Sequence, residues 1–152
     1  MQKDFLSILQ KAREIYKSQN KIHCPYFSTD IILNSDGFNH LQNKRNREAR
    51  NIDEQILKLS LLPKALQVIK RTGTLQEYRK HIEKFGNKSK DGLFKTKQVE
   101  YFGFHSIFGE NKDKKIVVII RRVGDGNYHF WSVMPHKKFN RQKLFENGID
   151  EN

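Results

Sequence analysis

The sequence predicts an α+β fold in which helices from the first half of the chain pack on one face of an antiparallel sheet formed by the second half. Apolar residues recur at helical spacing through most of the first 85 positions. Residues 116–120 instead form a continuous β-branched run, which is typical of a strand buried on both faces. Helices and strands that are segregated in this way along a chain are characteristic of α+β proteins.

The first 33 residues predict a helix, a loop and a short strand. Residues 3–17 place their apolar side chains at helical spacing, which indicates an amphipathic helix lying on the rest of the fold. Residues 20–28 are expected to form a loop, because Pro25 disfavours regular structure there. A short strand is expected at residues 30–33.

Two more helices are expected before residue 74. The polar residues 34–37 can cap a helix that runs through residues 38–41. A third helix is predicted at residues 53–61, and Pro63 is expected to break or restart it. Gly73 ends the restarted segment.

A fourth helix, then a connection and a strand, are predicted for residues 74–108. Thr74 followed by Glu77 has the spacing of a capping box, so residues 74–85 are predicted to be helical. Residues 86–97 have few apolar side chains and are expected to be an exposed connection or a ragged hairpin. The aromatic-rich residues 99–108 have strand character.

A β-hairpin is predicted after the polar turn at residues 109–115. Residues 116–120 form its first strand and the centre of the sheet, and the two glycines of residues 123–127 suit a hairpin turn. Residues 128–134 form the returning strand, and Pro135 ends it. Strand alternation predicts two sets of side chains on opposite faces: Tyr128, Phe130, Ser132 and Met134 on one, and His129, Trp131 and Val133 on the other.

The length of 152 residues predicts one domain that buries a core without disulfides. Its parts are an N-terminal helix within residues 1–20, a core at about residues 30–136, and a basic and then polar tail at residues 137–152. The only cysteine, Cys24, excludes an intramolecular disulfide and a cysteine-rich zinc site. No apolar stretch has the length of a spanning helix or of a secretion signal, so no membrane partner and a cytoplasmic location are expected, with export by a non-classical route left open.

The charge balance predicts a polyanionic partner. Lys and Arg number 29 against 17 Asp and Glu, which gives a formal net charge of +12. Nucleic acid is the first candidate for such a protein. The six histidines are scattered and no glycine-rich phosphate loop is present, so no metal and no cofactor are expected. What remains is the set of groups used in metal-independent RNA cleavage, in which a base takes the 2′-hydroxyl proton, an acid protonates the leaving oxygen and cations stabilise the phosphate.

Four stretches together resemble a known group of nucleases. They are I-I-L-N-S-D-G-F-N-H-L at residues 31–41, the basic run through residue 50, L-x-L-L-P at residues 59–63, and K-I-V-V-I-I-R-R followed by Y-H-F-W-S-V in the hairpin. They look like the phage-associated nuclease families grouped with barnase, EndoU, the tRNase colicins and the RelE toxins. The similarity covers roughly residues 30–136 and is a diffuse pattern. It implies helices packed on an antiparallel sheet whose basic cleft cleaves RNA without a metal, and it allows a cognate inhibitor or immunity protein as a partner.

The resemblance also implies site residues. His40 matches the helix histidine of that group, Ser132 the Ser or Thr of its last strand, and Trp131 the tryptophan beside that serine in some colicin relatives. His105 and His129 have no secure counterpart, which leaves the general base open. We therefore expect His40, Arg121, Ser132 and His105 to be catalytic candidates. The expected nucleic-acid-binding residues share positive charge or an aromatic face: Lys44, Arg47, Arg50, Arg122, Trp131, His136, Lys137 and Lys138.

Each candidate also has a purely structural interpretation. His40 and Trp131 can simply pack in the core, and Ser132 can satisfy a neighbouring backbone group. The leading hypothesis is a metal-independent endoribonuclease that acts as a tRNA- or mRNA-cleaving toxin or phage-associated effector. The alternatives are a nucleic-acid-binding module without catalysis that uses the same basic sheet, and a protein-binding adaptor. The nuclease hypothesis predicts that Lys44, Arg47, Arg50, Arg121 and residues 136–141 lie on one side of the fold.

Overall fold

The computed structural model describes residues 2–86, 88–112 and 114–135. The described elements, in chain order, are α1 (Gln2–Gln19), β1 (Lys21–Cys24), β2 (Thr29–Ile32), α2 (Ser35–Gln42), α3 (Ile52–Arg71), β3 (Glu77–Phe85), β4 (Lys95–Phe108), β5 (Lys114–Val123) and β6 (His129–Pro135). The predicted α+β class is confirmed. No helix in these described ranges is long and apolar enough to cross a membrane.

The strands form one sheet in the order β1-β2-β6-β5-β4-β3. The last four strands are an antiparallel meander. The meander was predicted for β4, β5 and β6, and the structure adds β3 to it. The β1–β2 hairpin adds to it through a parallel pairing of Ile32 with His129, so the sheet is mixed and not purely antiparallel. Residues 116–120 are buried at the centre of the sheet, which confirms the predicted central strand.

The three helices pack on one side of the sheet, which we call the helix-covered face. Phe104 of β4, Ile116, Val118 and Ile120 of β5 and Phe130 of β6 meet apolar residues of the helices there. The helical partners are Ala12 and Tyr16 of α1, Phe38 and Leu41 of α2, and Leu59, Leu62, Leu66 and Ile69 of α3. The opposite side, which we call the second face, has a smaller apolar cluster made of Val99, Tyr101, Val117, Ile119, Trp131 and Met134.

The prediction of a helix at residues 74–85 was wrong. Residues 77–85 form β3, which pairs with β4 along its whole length. The capping-box spacing of Thr74 and Glu77 is a local signal worth little free energy, and the nine paired residues of a long strand outweigh it. Residues 20–28 also contain a strand that was expected to be loop, because β1 buries Ile22 and Cys24 and ends before Pro25.

Pro63 does not break the third helix. α3 is continuous from Ile52 to Arg71 with Pro63 inside it. The proline removes one hydrogen bond of the helix, but Leu59 and Leu62 before it and Leu66 after it bury their side chains in the same core. Most helical stability in proteins comes from such packing of an apolar face, so the helix persists through the proline.

A β-bulge in β6 overturns the predicted alternation of its side chains. Ile119 pairs with Ser132 while Ile120 pairs with Phe130, so Trp131 is an extra residue in the strand. Phe130 and Val133 therefore both belong to the helix-covered core, whereas Trp131 belongs to the cluster on the second face. Ser132 lies opposite Ile119 of that second face and does not share the face of Phe130 as predicted.

Helix α2 lies directly against the backbone of β6. A Cβ atom on Gly37 would be 2.1 Å from the carbonyl oxygen of Phe130, so only glycine permits this approach. The side chain of Asn34 caps the helix by accepting a hydrogen bond from the Gly37 amide at 2.9 Å. This contact brings His40, one turn further on, next to Trp131.

Candidate active site on the second face

A cluster of polar side chains surrounds Glu83 on the second face of the sheet. We call His81, Glu83, Tyr101, Arg121 and Arg45 the Glu83 cluster. His81 and Glu83 come from β3, Tyr101 from β4 and Arg121 from β5, where the antiparallel register pairs Tyr101 with Arg121. Arg45 reaches the cluster from the loop between α2 and α3.

Glu83 is held by four side chains. Its Oε1 atom lies 2.8 Å from Nη2 of Arg45 and 3.7 Å from Nη2 of Arg121. Its Oε2 atom accepts a hydrogen bond from the hydroxyl of Tyr101 at 2.6 Å and lies 2.7 Å from Nε2 of His81. A carboxylate this buried needs such partners, because an unpaired charge in the interior is very costly.

The remaining contacts fix the geometry of the cluster. The rings of His81 and Tyr101 stack with their centroids 5.4 Å apart. Burial is the largest cause that raises the pKa of Tyr101 above its ordinary value, so the hydroxyl stays protonated and donates to Glu83. The guanidinium carbon of Arg121 lies 4.2 Å from the centre of the Trp131 ring, which adds a cation–π contact.

The cluster has an accessible rim and a buried floor. The side chains of Arg45 and His81 are 42% and 25% exposed, whereas that of Glu83 is 5% exposed. A substrate would therefore meet the guanidinium and the carbon edge of the imidazole first, since Nε2 of His81 faces Glu83 and Nδ1 is buried. An imidazole backed by a carboxylate can exchange protons, and a guanidinium can bind a phosphate through two parallel hydrogen bonds.

His40 is buried beside this cluster and not exposed in it. Its ring stacks on Trp131 at 4.0 Å, and its Nε2 atom accepts a hydrogen bond from Nη2 of Arg50 at 3.3 Å. Burial, followed by the charges of Arg50, Lys58, Arg121 and Arg45, lowers its pKa to about 2. His40 is therefore a neutral ring whose lone pair is already engaged.

The predicted basic run divides into three kinds of residue. Lys44 and Arg47 are exposed in the α2–α3 loop. Arg50 is buried instead, with its Nε atom donating to the His40 carbonyl at 3.0 Å and its Nη1 atom 2.9 Å from Glu54. Arg50 thus anchors the loop and does not add to a basic surface, which corrects the expectation for this residue. Arg45 was not singled out from the sequence, although it is the loop residue that reaches Glu83.

Ser132 is buried against a lysine of α3. Nζ of Lys58 donates to the Ser132 hydroxyl and to the Val133 carbonyl, both at 3.1 Å. Burial is the largest cause that lowers the pKa of Lys58 to about 7, and the charge of Arg50 lowers it further while Glu54 raises it. These two hydrogen bonds link α3 to β6 inside the protein.

The other predicted residues lie apart from the Glu83 cluster. His105 is on β4 four residues beyond Tyr101, where its Nε2 atom is 2.6 Å from Glu77. Arg122 follows Arg121 in the strand and so points to the opposite face, where its Nε atom donates to the Gly126 carbonyl at 2.9 Å. His136, Lys137 and Lys138, and the whole segment 136–141, lie outside the described residues.

Sequence reasoning missed His81 and Glu83 because residues 74–85 were expected to be helical. The sequence shows no clear period of two along β3, because the residues between these positions, Tyr78, Lys80 and Lys84, are aromatic or charged as well.

Comparison of the chain with protein-family models, with curated proteins and with solved structures finds no match. Within residues 2–86, 88–112 and 114–135, no group of three His, Cys, Asp or Glu side chains is placed to hold a metal ion.

Proposed function

We propose that the protein is a metal-independent endoribonuclease and that the Glu83 cluster is its active site. The observation that carries the proposal is the convergence of His81, Glu83 and two arginines on one face of the sheet. This set combines a proton-transfer group with cations that can stabilise the crowded phosphate of a transition state. The net charge of +12 supports a polyanionic substrate.

Each residue of the cluster has a role in this proposal. His81 exchanges a proton with the RNA, either at the attacking 2′-hydroxyl or at the leaving 5′-oxygen, and its ring must turn to do so because Nε2 faces Glu83 and Nδ1 is buried in this structure. Glu83 holds the imidazole and stabilises its protonated form through the contact at 2.7 Å. Arg45 and Arg121 bind the scissile phosphate. RNA is the substrate in preference to DNA, because this chemistry uses the 2′-hydroxyl as its nucleophile.

His40 has a different role from the one the sequence suggested. Since it is buried and neutral, we propose that it positions Trp131 and, through Arg50, the loop that carries Arg45. A role as a toxin or phage-associated effector with a cognate inhibitor remains a prediction from the sequence resemblance.

One observation favours the second candidate, a nucleic-acid-binding module without catalysis. Glu83 is 5% exposed and contacts four side chains, an arrangement that also serves to brace a sheet. The exposed Lys44 and Arg47 would then hold phosphates without any chemistry following.

The test is incubation of the purified protein with total RNA in EDTA. We expect cleavage by the wild type, and we expect His81→Ala to slow it by about two to four orders of magnitude, the usual contribution of a general acid or base. The matched control is His23→Ala. His23 is an exposed histidine of β1 that also lies near a carboxylate, 3.6 Å from Asp30 of β2, and it is away from the cluster. Salt-dependent RNA binding without cleavage by the wild type would favour the binding module instead.

A further inference from the structure

Three buried nitrogen atoms next to the Glu83 cluster lack a hydrogen-bond partner among the described residues. They are Nε of Arg121, Nε1 of Trp131 and Nε2 of His129. The three residues are only 8%, 9% and 7% exposed, so water does not readily replace the missing partners. Nearly all buried polar groups in folded proteins are paired, and a group of three that are not calls for an explanation.

The three side chains are neighbours. Arg121 and His129 are directly paired across β5 and β6. The guanidinium of Arg121 lies 4.2 Å from the centre of the Trp131 ring, and the rings of His129 and Trp131 meet edge to face at 6.1 Å. The bulge in β6 is the reason that Trp131 is on this face at all. The three residues that carry the unpaired nitrogens thus lie next to one another.

The chemistry of the three groups selects an oxyanion. The Nε–H group of Arg121 and the indole N–H group of Trp131 only donate, so both need an acceptor. The guanidinium also carries a positive charge, and its contact with Glu83 is long at 3.7 Å. An anion with several oxygens satisfies both donors and the charge together, whereas a neutral acceptor satisfies the donors alone.

His129 completes this arrangement. Burial, followed by the charge of Arg121, lowers its pKa to about 4, although a hydrogen bond to the backbone of Asn127 acts in the opposite direction. A bound anion favours the protonated ring, in which Nε2 becomes a third donor. His129 also lines a cavity of ≈ 250 Å³ together with Asn34, Gly126 and Asn127, which lies beside the β5–β6 turn.

We propose that Arg121, Trp131 and His129 form a phosphate-binding site at the junction of β5 and β6. The inference rests on the proposed function for the source of the phosphate, which is the backbone of the RNA held beside the Glu83 cluster. Anion binding itself does not depend on cleavage.

The experiment uses Trp131 as its own reporter, because the chain contains one tryptophan. Its indole N–H gives a single signal in a ¹H–¹⁵N NMR spectrum, and inorganic phosphate is the probe. We expect phosphate to shift this signal in a saturable way and sodium chloride at matched ionic strength not to do so. Arg121→Gln should weaken phosphate binding by about tenfold or more, since it removes a charge-assisted donor.

Arg122→Gln is the matched control. It makes the same change one residue further along β5, on the opposite face, and should leave phosphate binding within about twofold of the wild type. His129→Gln is a second variant in case Arg121→Gln fails to fold, and it should also weaken binding. The remaining NMR signals report whether each variant is folded. A phosphate shift that is absent, or that persists unchanged in both Arg121→Gln and His129→Gln, overturns the site.

Two further probes separate the possible ligands. A deoxydinucleotide, which has a phosphodiester but no 2′-hydroxyl, should shift the Trp131 signal without being cleaved. Uridine, which has a base and a ribose but no phosphate, should not, and an equal shift with uridine overturns the anion site. Cleavage of RNA without a phosphate shift refutes this site alone, whereas a phosphate shift without any cleavage of RNA refutes the proposed function alone.

Discussion

The two faces of the sheet use the same strands for opposite purposes. On the helix-covered face, β5 contributes Ile116, Val118 and Ile120 to an apolar cluster shared with all three helices. On the second face the same strand contributes Val117 and Ile119, and then Arg121, which lies among Glu83, Tyr101 and Trp131. The difference shows how one face can hold the fold together while the other carries buried polar groups that a stable core would avoid.

The largest effect should come from the helix-covered face. Phe130→Ala removes a fully buried ring and should lower the free energy of unfolding by about 3–5 kcal/mol. Phe94→Ala, which truncates an exposed phenylalanine, is the matched control and should cost less than about 1 kcal/mol. Urea denaturation measures both changes. Equal losses for the two variants would show that the helix-covered face is not the main source of stability.

Gly37 packs against the backbone of Phe130, and the helix that carries it also places His40 next to Trp131. Its replacement should therefore affect both faces. A Cβ atom at 2.1 Å from the Phe130 carbonyl forces α2 away from β6, so we expect Gly37→Ala to cost about 1–3 kcal/mol. It should also weaken the stacking of His40 on Trp131 and with it the proposed activity. Gly73→Ala is the control, because a Cβ atom there meets nothing within 4 Å. Thermal unfolding and RNA cleavage by both variants test the prediction, and a fully stable Gly37→Ala would contradict the close approach.

Lys58 should make stability depend on pH. Its pKa is about 7 in the folded protein and about 10.5 when exposed, so between these values the unfolded chain binds a proton that the folded chain does not. The free energy of unfolding should therefore rise with pH over this window, by up to about 1.4 kcal/mol per pH unit from this residue.

The measurement is urea denaturation between pH 7 and 9.5. Lys58→Met should flatten the rise, because it removes the titrating group. Lys70→Met makes the same change at an exposed position of α3 and should leave the slope as it is. A slope that is the same in the wild type and in Lys58→Met would show that the buried ammonium does not titrate in this range.

Arg45 should give the smallest change in stability and a clear change in function. Its side chain is 42% exposed, and the buried Glu83 keeps Tyr101, His81 and Arg121 as partners, so loss of the ion pair in Arg45→Gln should cost about 1 kcal/mol. RNA affinity and cleavage rate should both fall, since a phosphate-binding cation acts before and during the reaction. Salt-dependent binding assays and cleavage in EDTA measure this, with Arg47→Gln in the same loop as the comparison. Equal effects of the two variants would place the phosphate contact on the loop in general and not at the cluster.

The sequence predicted the parts of the fold that are determined locally. The central strand at residues 116–120, the hairpin after it and the helices α1 and α2 all follow from short-range patterns. Strand β3 was mistaken for a helix because its partner β4 is needed to stabilise it, and a capping box at Thr74 suggested otherwise. The bulge at Trp131 was missed for the same reason, since register depends on the neighbouring strand.

The candidate site was predicted in part. Arg121 and Trp131 were selected from the sequence and do contact each other. Arg50 and His40 were expected at the surface, but both are buried. Arg50 forms a salt bridge to Glu54 and His40 stacks on Trp131, and these contacts depend on the tertiary structure. Glu83, the residue around which the cluster is built, was not selected as a site residue, because β3 was predicted to be a helix and nothing in the nearby sequence marks this glutamate as functional.

The order of the strands also determines the stage of folding at which the Glu83 cluster can form. The β2–β6 pairing joins Ile32 to His129, near opposite ends of the described chain, and the cluster draws on Arg45, Glu83 and Arg121. Contacts so distant in sequence form late in folding, because a long loop must close first. On the ribosome, a growing chain therefore lacks the complete cluster until Arg121 of β5 has emerged. Under the proposed function, the cluster would act on RNA only after most of its own message has been translated.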